Sequence, residues 1–458
     1  MAAGKGTRMR SSLPKVLHQL AGRSLLQHVL ASAAALGPQR TVVVTGHGAE
    51  QVEAGLPTGP ALRAVRQMPQ LGTGHAVQQA LPALDPAAEV TLILNGDVPL
   101  IAAATAQALV QACGGERLAL LTVRLPDPSG YGRIVRDATL GGTVRAIVEH
   151  KDASDEQRRI DEVYTGMMAA PTALLARWVT ALRNDNVQQE YYLTDIVAMA
   201  VAEGVAVVSA SASDETEVLG VNSPAQLADL ERRLQRRQAE AYMAAGLRLA
   251  DPARLDVRGE LRFGEDCEID LNVLLEGQVQ LGAGVRIGAN CVLRNVVIGD
   301  GVVIHPFTHI DGDREGVRVG AGSLIGPFAR LRPGAVLGQQ VHIGNFVEVK
   351  NSTLADGAKA NHLAYLGDAT VGERVNYGAG SITANYDGAN KHRTVIGNDV
   401  HVGSNCVLIA PVTLGDGATI GGGSTLSSDA PAGQLTVARA KAVTLRGWRR
   451  PVKTKPAG

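Results

Sequence analysis

From about residue 260 onward, an aliphatic side chain returns at every sixth position and is often followed by glycine. In one phase the run is Leu281, Ile287 and Leu293, and in the next Ile298, Ile304 and Ile310. It continues with Val319, Ile325, Leu331, Leu337, Ile343 and Val349, and closes with Ile396, Val402, Leu408, Leu414, Ile420 and Leu426. A sustained period of six fits neither the 3.6 of a helix nor the 2 of a strand. It is a mark of a parallel β-helix, in which each short side turns one aliphatic residue inward and a small residue permits the corner. Three such sides make a coil of about eighteen residues. A glycine-rich linker has no reason to keep aliphatics in phase over so many repeats. The hexads stop after Val349 and resume at Ile396, so the intervening segment is expected to leave the regular coil, and insertions on a solenoid tend to carry function.

Composition changes along the chain in the same sense. Of 53 glycines, 21 fall in residues 1–250 and 32 in the shorter remainder, which points to a change of architecture partway along. Over residues 1–222, apolar runs such as Thr41 to Thr45, Val90 to Leu94 and Leu118 to Val123 alternate with helical stretches such as Ser24 to Leu36. This predicts an α/β domain with a largely parallel sheet and ligands gathered at the strand C-termini. Between the halves a helix is expected over about Pro224 to Ala245, N-capped by Ser223 with Gln226 completing a capping box, and Gly246 at its C-terminal turn. Leu227, Leu230 and Leu234 line one face of it. The expected domains are therefore 1–222, a linker helix over 223–246, and a β-helix with a basic tail over 247–458.

Lys plus Arg and Asp plus Glu both number 44, so no global field draws the chain to nucleic acid or to an anionic membrane. No stretch approaches the ~18 apolar residues of a membrane span, which argues against membrane insertion. The N-terminus carries no signal-peptide pattern, so the expected location is cytoplasmic. Cys113, Cys267, Cys291 and Cys406 stand singly, as reduced and buried thiols would, and suggest no zinc site. The tail carries Arg439, Lys441, Arg446, Arg449, Arg450, Lys453 and Lys455 with no acid; this fits either a solvated end or a clamp for phosphates.

The first residues read MAAGKGTR. Small residues let a backbone approach a ligand, N–H groups in such a turn point at phosphate oxygens, and Lys5, Arg8 and Lys15 add charge. A Gly-Lys-Gly turn by itself also fits an ordinary surface loop. Asp97 follows the VTLIL run, where a carboxylate is either a turn former or a metal ligand at the sheet edge.

AAGKGTRM, LPKVLH, QLGTGHA at Gln70 to Ala76, GDVPL at Gly96 to Leu100, GYGRIVR at Gly130 to Arg136 and VEHKDA at Val148 to Ala153 resemble sugar-phosphate nucleotidyltransferases. RLRPGA, GNFVEVK, HLAYLGD and NYDGANK, with the tail motif GWRRPVK, resemble the acetyltransferase half of a bacterial family. That family is the bifunctional N-acetylglucosamine-1-phosphate uridyltransferase/glucosamine-1-phosphate acetyltransferase, and the match runs over essentially the whole chain. The resemblance implies a Rossmann-like nucleotidyltransferase domain, a linker helix and a left-handed β-helix, assembled as a homotrimer with acetyl-transfer sites between neighbouring chains. Its substrates are small molecules, with UTP and acetyl-CoA as co-substrates and Mg²⁺ as cofactor.

For the first half, the resemblance implies that Ala2, Ala3, Gly4 and Lys15 hold the triphosphate with Arg8 beside it, and that Gln67, Gly72 and Thr73 read the uracil edge. Asn95, Gly96, Gly132, Glu149 and Tyr164 fall on nucleotide-sugar positions, and Asp97 and Asn222 on the metal ligands. For the second half, His362 is implied as the general base, a role that suits a side chain titrating near neutrality. Arg332 and Lys350 are implied to hold the sugar phosphate, Tyr365 and Asn376 its hydroxyls. Ala379, Asn385, Tyr386, Ser404, Gly422 and Arg439 are implied as acetyl-CoA contacts, which favours the clamp reading of the tail.

Three features depart from the family pattern. Asn95 stands where many members carry Tyr, and Tyr164 where they carry Asn, a change from a compact amide to a phenol. Met1 stands where the family's first, central β-strand ends. Loss of such a strand is expected to leave its neighbours without ladder partners and the glycine loop without an anchor, and hence uridylyl transfer weak, unless the true start lies upstream. Two further readings stay open: an acetyltransferase with a vestigial first domain, and a regulatory or scaffold subunit. The polar set around His362 and Asn385-Tyr386 argues against the last, since a purely structural prism does not need it.

Overall fold

The computed structural model describes residues 1–137, 142–186, 188–212 and 214–451. Lys453 and Lys455 of the basic tail lie outside the described residues. The chain divides into two compact units, Met1–Arg237 and Gln238–Gly458. The division falls inside the helix Pro224–Ala244.

In the first unit, strands Val207–Ser211, Leu118–Arg124, Glu162–Pro171, Gly132–Asp137 and Thr143–Val148 lie side by side in that order, and Val90–Ile93 pairs with Glu162–Pro171. Only Val207–Ser211 and Leu118–Arg124 run parallel; the long strand Glu162–Pro171 is antiparallel to Leu118–Arg124, Val90–Ile93 and Gly132–Asp137. The main sheet is thus mixed, which corrects the expectation of a largely parallel one. A strand buried on both faces reads as a continuous apolar run whichever way it points, so pattern alone could not set its direction. Thr41–Thr45 and Leu62–Arg66 form a separate parallel pair. Leu230 and Leu234 of the long helix are buried against Met9, Leu20, Leu25 and Val221 of this unit.

Between Thr41–Thr45 and Val90–Ile93 the chain begins. The Met1 nitrogen donates to Leu94 O at 2.6 Å, Ala2 N donates to Val44 O at 2.8 Å, and Gly96 N donates to Met1 O at 2.8 Å. His47 N closes on Ala3 O at 3.2 Å. The glycine loop therefore has an anchor after all, made by two residues that bridge both strands. The facing edges of the two strands border a cavity of about 580 Å³.

The second unit is a parallel β-helix. An eleven-stranded sheet forms one side, and a sixteen-stranded sheet wraps the others, with Val292–Ile298 pairing to His309–Asp311 by its first half and to Val317–Val319 by its second. Every pairing between these strands is parallel, and Leu324 stacks on His342, His342 on Lys359 and Lys359 on Asn376. The hexad aliphatics form the core: Ile325, Leu331, Ile343, Val349, Val402, Leu408 and Leu414 are all at 0% exposure.

The coil does not lapse between Val349 and Ile396, which corrects the sequence reading. Leu354, Ala360, Leu366, Val371, Tyr377 and Thr383 take the inward positions there. Ala, Tyr and Thr satisfy the interior without looking like an aliphatic hexad; Thr383 does so because its hydroxyl donates to Gly367 O at 3.0 Å and accepts from Gly367 N at 2.8 Å. Only the stretch around Asn385 to His392 leaves the coil. There Asp387 accepts from Ala389 N and Asn390 N and pairs with His392 Nε2 at 2.7 Å, and these bonds hold its carboxyl far below the usual range.

Ile343→Ala removes a wholly buried side chain in mid-stack, where neighbouring coils cannot collapse independently. A loss of ~2 to 5 kcal/mol is expected in denaturant unfolding followed by circular dichroism. A loss below ~1 kcal/mol would mean that the coil interior is loosely packed.

Candidate active sites

The first site forms where the sheet's strand ends meet the glycine loop. Gly96 makes this approach possible: a Cβ there would lie 3.0 Å from Met1 O and 3.3 Å from the Ala2 Cβ and the Val16 Cγ1. Ala2 and Ala3 are buried, whereas Gly4 faces open space. Lys15 Nζ donates to Asp97 Oδ2 at 2.5 Å and to Asn222 Oδ1 at 3.1 Å, a cation held between two oxygens. Asn222 is fixed in turn, since Val221 N donates to Asp97 O at 2.9 Å and Asn222 N to Gln226 Oε1 at 2.8 Å. The Gln226 side chain thus reaches Asn222 N, one residue before the position a capping box would use, while Ser223 Oγ accepts from Gln226 N at 3.3 Å.

Gln67, Gly72 and Thr73 come together. Gln67 is 3% exposed and its Nε2 donates to Gly72 O at 2.8 Å. Gly72 has φ of 100° and a Cβ there would meet Tyr191 O at 2.7 Å, so glycine is required. Thr73 begins the helix Thr73–Ala80 and its Oγ1 accepts from Leu193 N at 3.1 Å.

Gly132 pairs with Tyr164 across the sheet, and a Cβ on Gly132 would be 3.8 Å from both Glu149 carboxylate oxygens. Burial raises the Glu149 carboxyl above its ordinary range, against the bond its Oε1 accepts from Thr194 at 3.2 Å. Tyr164 is buried and its hydroxyl has no hydrogen-bond partner among the described residues; burial, then the Glu149 charge, push the phenol well up. Asn95 Nδ2 donates to Gly166 O at 3.2 Å.

The second site lies along the β-helix. His362 is exposed, pairs with Asn345 on the preceding coil, and its Nδ1 lies 2.7 Å from Asn345 Oδ1. Donation from Nδ1–H to that oxygen leaves Nε2 free to accept a proton. Asn405 N donates to Ala379 O at 2.7 Å and Gly423 N to Ser404 O at 2.8 Å, and a Cβ on Gly422 would meet Ser404 O at 3.3 Å. Ala379, Ser404 and Gly422 therefore succeed one another coil by coil, and the Arg439 guanidinium donates to Gly422 O.

Arg330 and Leu331 stack on Glu348 and Val349, so Arg332 and Lys350 follow in the same register. Arg332 is held by Glu348 at 2.7 Å. The Lys350 ammonium is pulled below its ordinary range, first by the adjoining Lys391 amine, then by burial and by Arg332. Tyr365 lays its phenol over Gly367, where a Cβ would be 2.3 Å from the hydroxyl. Asn376 Nδ2 donates to His401 Nδ1 at 3.0 Å. Asn385 Nδ2 donates to Asp368 Oδ2, and Tyr386 Oη to Gly388 O at 2.6 Å.

A model of the MobA-like NTP transferase domain matches residues 1–249, one of the bacterial transferase hexapeptide (six repeats) matches 393–428, and one of the hexapeptide repeat of succinyl-transferase matches 278–305. The bifunctional protein GlmU of Methylibium petroleiphilum is 73% identical over 460 residues, covering 99% of both chains. The chain belongs to the bifunctional GlmU family. The GlmU proteins of Polaromonas naphthalenivorans and Acidovorax sp. strain JS42 are 67% and 65% identical, each over 99% of this chain and over 97% and 98% of their own lengths.

Four polar residues that the sequence reading left without a role enter the second site. They are Asn345 on His362, Asp368 under Asn385, Lys391 beside Lys350 and His401 on Asn376. Asn345 and His362 stand one coil apart, as do Arg332 and Lys350. Searching for polar pairs at the coil spacing would have found Asn345 and Asp368, each 17 residues from its partner, but not His401 or Lys391, whose partners lie across the excursion.

Tyr164→Phe deletes a buried hydroxyl that has no hydrogen-bond partner among the described residues. Thermal unfolding of the variant is expected to match or exceed that of the parent, because an unsatisfied buried polar group costs ~1 to 3 kcal/mol. A clear drop in melting temperature would reveal a partner for the hydroxyl.

Proposed function

We infer that the chain carries two transfer reactions in sequence: N-acetylation of glucosamine 1-phosphate by acetyl-CoA, then uridylyl transfer from UTP to N-acetylglucosamine 1-phosphate with release of pyrophosphate. The observation that carries the reading is that two polar clusters, one per compact unit, sit on one chain that aligns nearly end to end with bifunctional GlmU proteins. Residues 1–222 form the uridylyltransferase domain in this reading, 223–246 the linker helix and 247–458 the acetyltransferase domain.

In the uridylyltransferase site a sugar-phosphate oxygen forms a bond to the α-phosphorus as the bond to pyrophosphate breaks. No protein nucleophile is needed; placement and neutralisation of charge suffice. Ala2, Ala3 and Gly4 let the backbone approach the triphosphate, Lys15 and Arg8 offset its charge, and Gln67, Gly72 and Thr73 read the uracil edge. Asn95, Gly96, Gly132, Glu149 and Tyr164 border the sugar. Asp97 and Asn222 present the hard oxygens that Mg²⁺ prefers, and the Lys15 ammonium between them marks the spot as one suited to a cation. Mg²⁺ held there would neutralise phosphate charge.

In the acetyltransferase site, His362 Nε2 takes a proton from the substrate amine, whose nitrogen attacks the thioester carbon as the coenzyme A thiolate departs. Asn345 keeps the ring in the tautomer this requires. Arg332 and Lys350, with Lys391, form a cluster of like charge that a phosphate relieves, which supports their role toward the sugar phosphate. Tyr365 and Asn376 face its hydroxyls. Ala379, Asn385, Tyr386, Ser404, Gly422 and Arg439 take acetyl-CoA.

We read the assembly as a homotrimer of small-molecule enzymes. Three exposed phenyl rings support it: Phe307, Phe328 and Phe346 stack at 5.0 and 5.3 Å along one edge and leave an apolar strip for a second copy to cover. A cytoplasmic location is supported by four buried free cysteines, and among the described residues no helix is long and apolar enough to cross a membrane.

His362→Ala is expected to lower acetylation by ~10² to 10⁴ while uridylyl transfer from supplied N-acetylglucosamine 1-phosphate stays near the parent rate. An acetylation rate within a few-fold of the parent would remove His362 from the base role. Asp97→Asn should have the converse effect, lowering uridylyl transfer and sparing acetylation; parallel assays of both half-reactions check it, and equal loss of both would indicate misfolding or a shared site.

A further inference from the structure

The amide of Gln67 is held by an acceptor that has no choice of role. A main-chain carbonyl only accepts, so the amide atom 2.8 Å from Gly72 O is the nitrogen and not the oxygen. One N–H is used there. The other is directed at His75 Nδ1, 3.3 Å away in the first turn of the helix Thr73–Ala80. To accept it, Nδ1 must be the bare nitrogen of a neutral imidazole, which leaves the ring hydrogen on Nε2. Gln79 stands one turn further along the same helix with its amide 3.1 Å from Nε2, and with its oxygen turned to the ring it takes that hydrogen. Both ring nitrogens are thereby engaged, each with a fixed role.

An amide bonded through one N–H can pivot about that bond, whereas one bonded through both keeps its plane. The main chain of Gln67 is fixed as well, its N donating to Thr45 O at 2.8 Å, and the residue is buried. Gln67 Oε1, which accepts no hydrogen bond among the described residues, is therefore left with one direction and one role, that of acceptor.

We propose that His75 is a positioning residue for base selection: its Nδ1 holds the Gln67 amide so that Oε1 faces the nucleobase as an acceptor. An acceptor there favours a base with an N–H on that edge, as uracil has at N3, over one with a bare nitrogen, as cytosine has. The proposal rests on the reading of Gln67 as a residue that contacts the base, and it adds what aims the amide.

Titration calorimetry of the full chain with UTP and with CTP, each with Mg²⁺ present, tests it. The parent is expected to prefer UTP. His75→Leu removes the acceptor and should weaken UTP by about three- to tenfold, the worth of one neutral hydrogen bond, while CTP changes by less than about twofold. His75→Asn, whose amide oxygen can stand where Nδ1 does, should keep the preference within about twofold of the parent. Gln67→Leu removes the group that meets the base, and adding His75→Leu to it should change nothing further, because His75 acts through Gln67. The proposal is overturned if His75→Leu weakens both nucleotides equally or neither, if His75→Asn is as poor as His75→Leu, or if the two losses add in the double variant. Loss of the UTP preference in Gln67→Leu but not in His75→Leu would sink the proposal alone. A preference left intact in Gln67→Leu would mean that the base is not met at Gln67, and that reading would fall together with the proposal.

Discussion

The parallel register between successive coils is the constraint on which the second unit rests. Each coil satisfies its backbone groups on the next, so residues about eighteen apart are locked into columns along the solenoid. One column is apolar and inward, from Ile325 through Ile343 and Ala360 to Tyr377 and Val402. Others are polar and outward, and they deliver the chemistry: Asn345 onto His362, and Arg332 beside Lys350. Corners absorb small differences in coil length, since Ile325 stacks on Ile343 and Ile343 on Ala360 although the second step is one residue shorter. The excursion around Asn385 to His392 is tolerated because it leaves and rejoins without disturbing register, Thr370 stacking on Val395 and Asn376 on His401.

In the first unit, position comes from strand ends instead. Asn95 to Asp97 follow one strand and Gly46 another, and the loop from Met1 to Gly4 is drawn between them by backbone bonds to Leu94, Val44 and Gly96. Glycine at position 96 permits that proximity, and Asp97 then meets Lys15 and Asn222 from distant parts of the chain. The two units obey different rules, yet in both the charged groups are placed by main-chain hydrogen bonding rather than by side-chain packing.

The departures from the family pattern take on physical content here. Tyr164 is accommodated in the sheet with a hydroxyl that has no partner among the described residues, near the half-buried Glu149 carboxyl. Asn95 uses its amide on Gly166, where a Cβ would lie 2.3 Å from the Asn95 Nδ2.

Much of this was legible along the chain. A period of six dictates a solenoid because no other regular structure repeats at that interval, and the hexad aliphatics from Leu281 to Leu426 all turn inward. Gly72, Gly96 and Asp97 were marked by motif and fall where strand ends gather. The sequence could not reveal that the sheet is mixed, because a strand buried on both faces carries no sign of its direction. Nor could it show that the β-helix runs unbroken from Val349 to Ile396, since Ala360, Tyr377 and Thr383 fill inward places by fit and hydrogen bonding rather than by aliphatic character. The contacts of Lys391 and His401 were decided by tertiary structure: their partners Lys350 and Asn376 are not one coil away in sequence, and only the stacking of coils around the excursion brings them within reach.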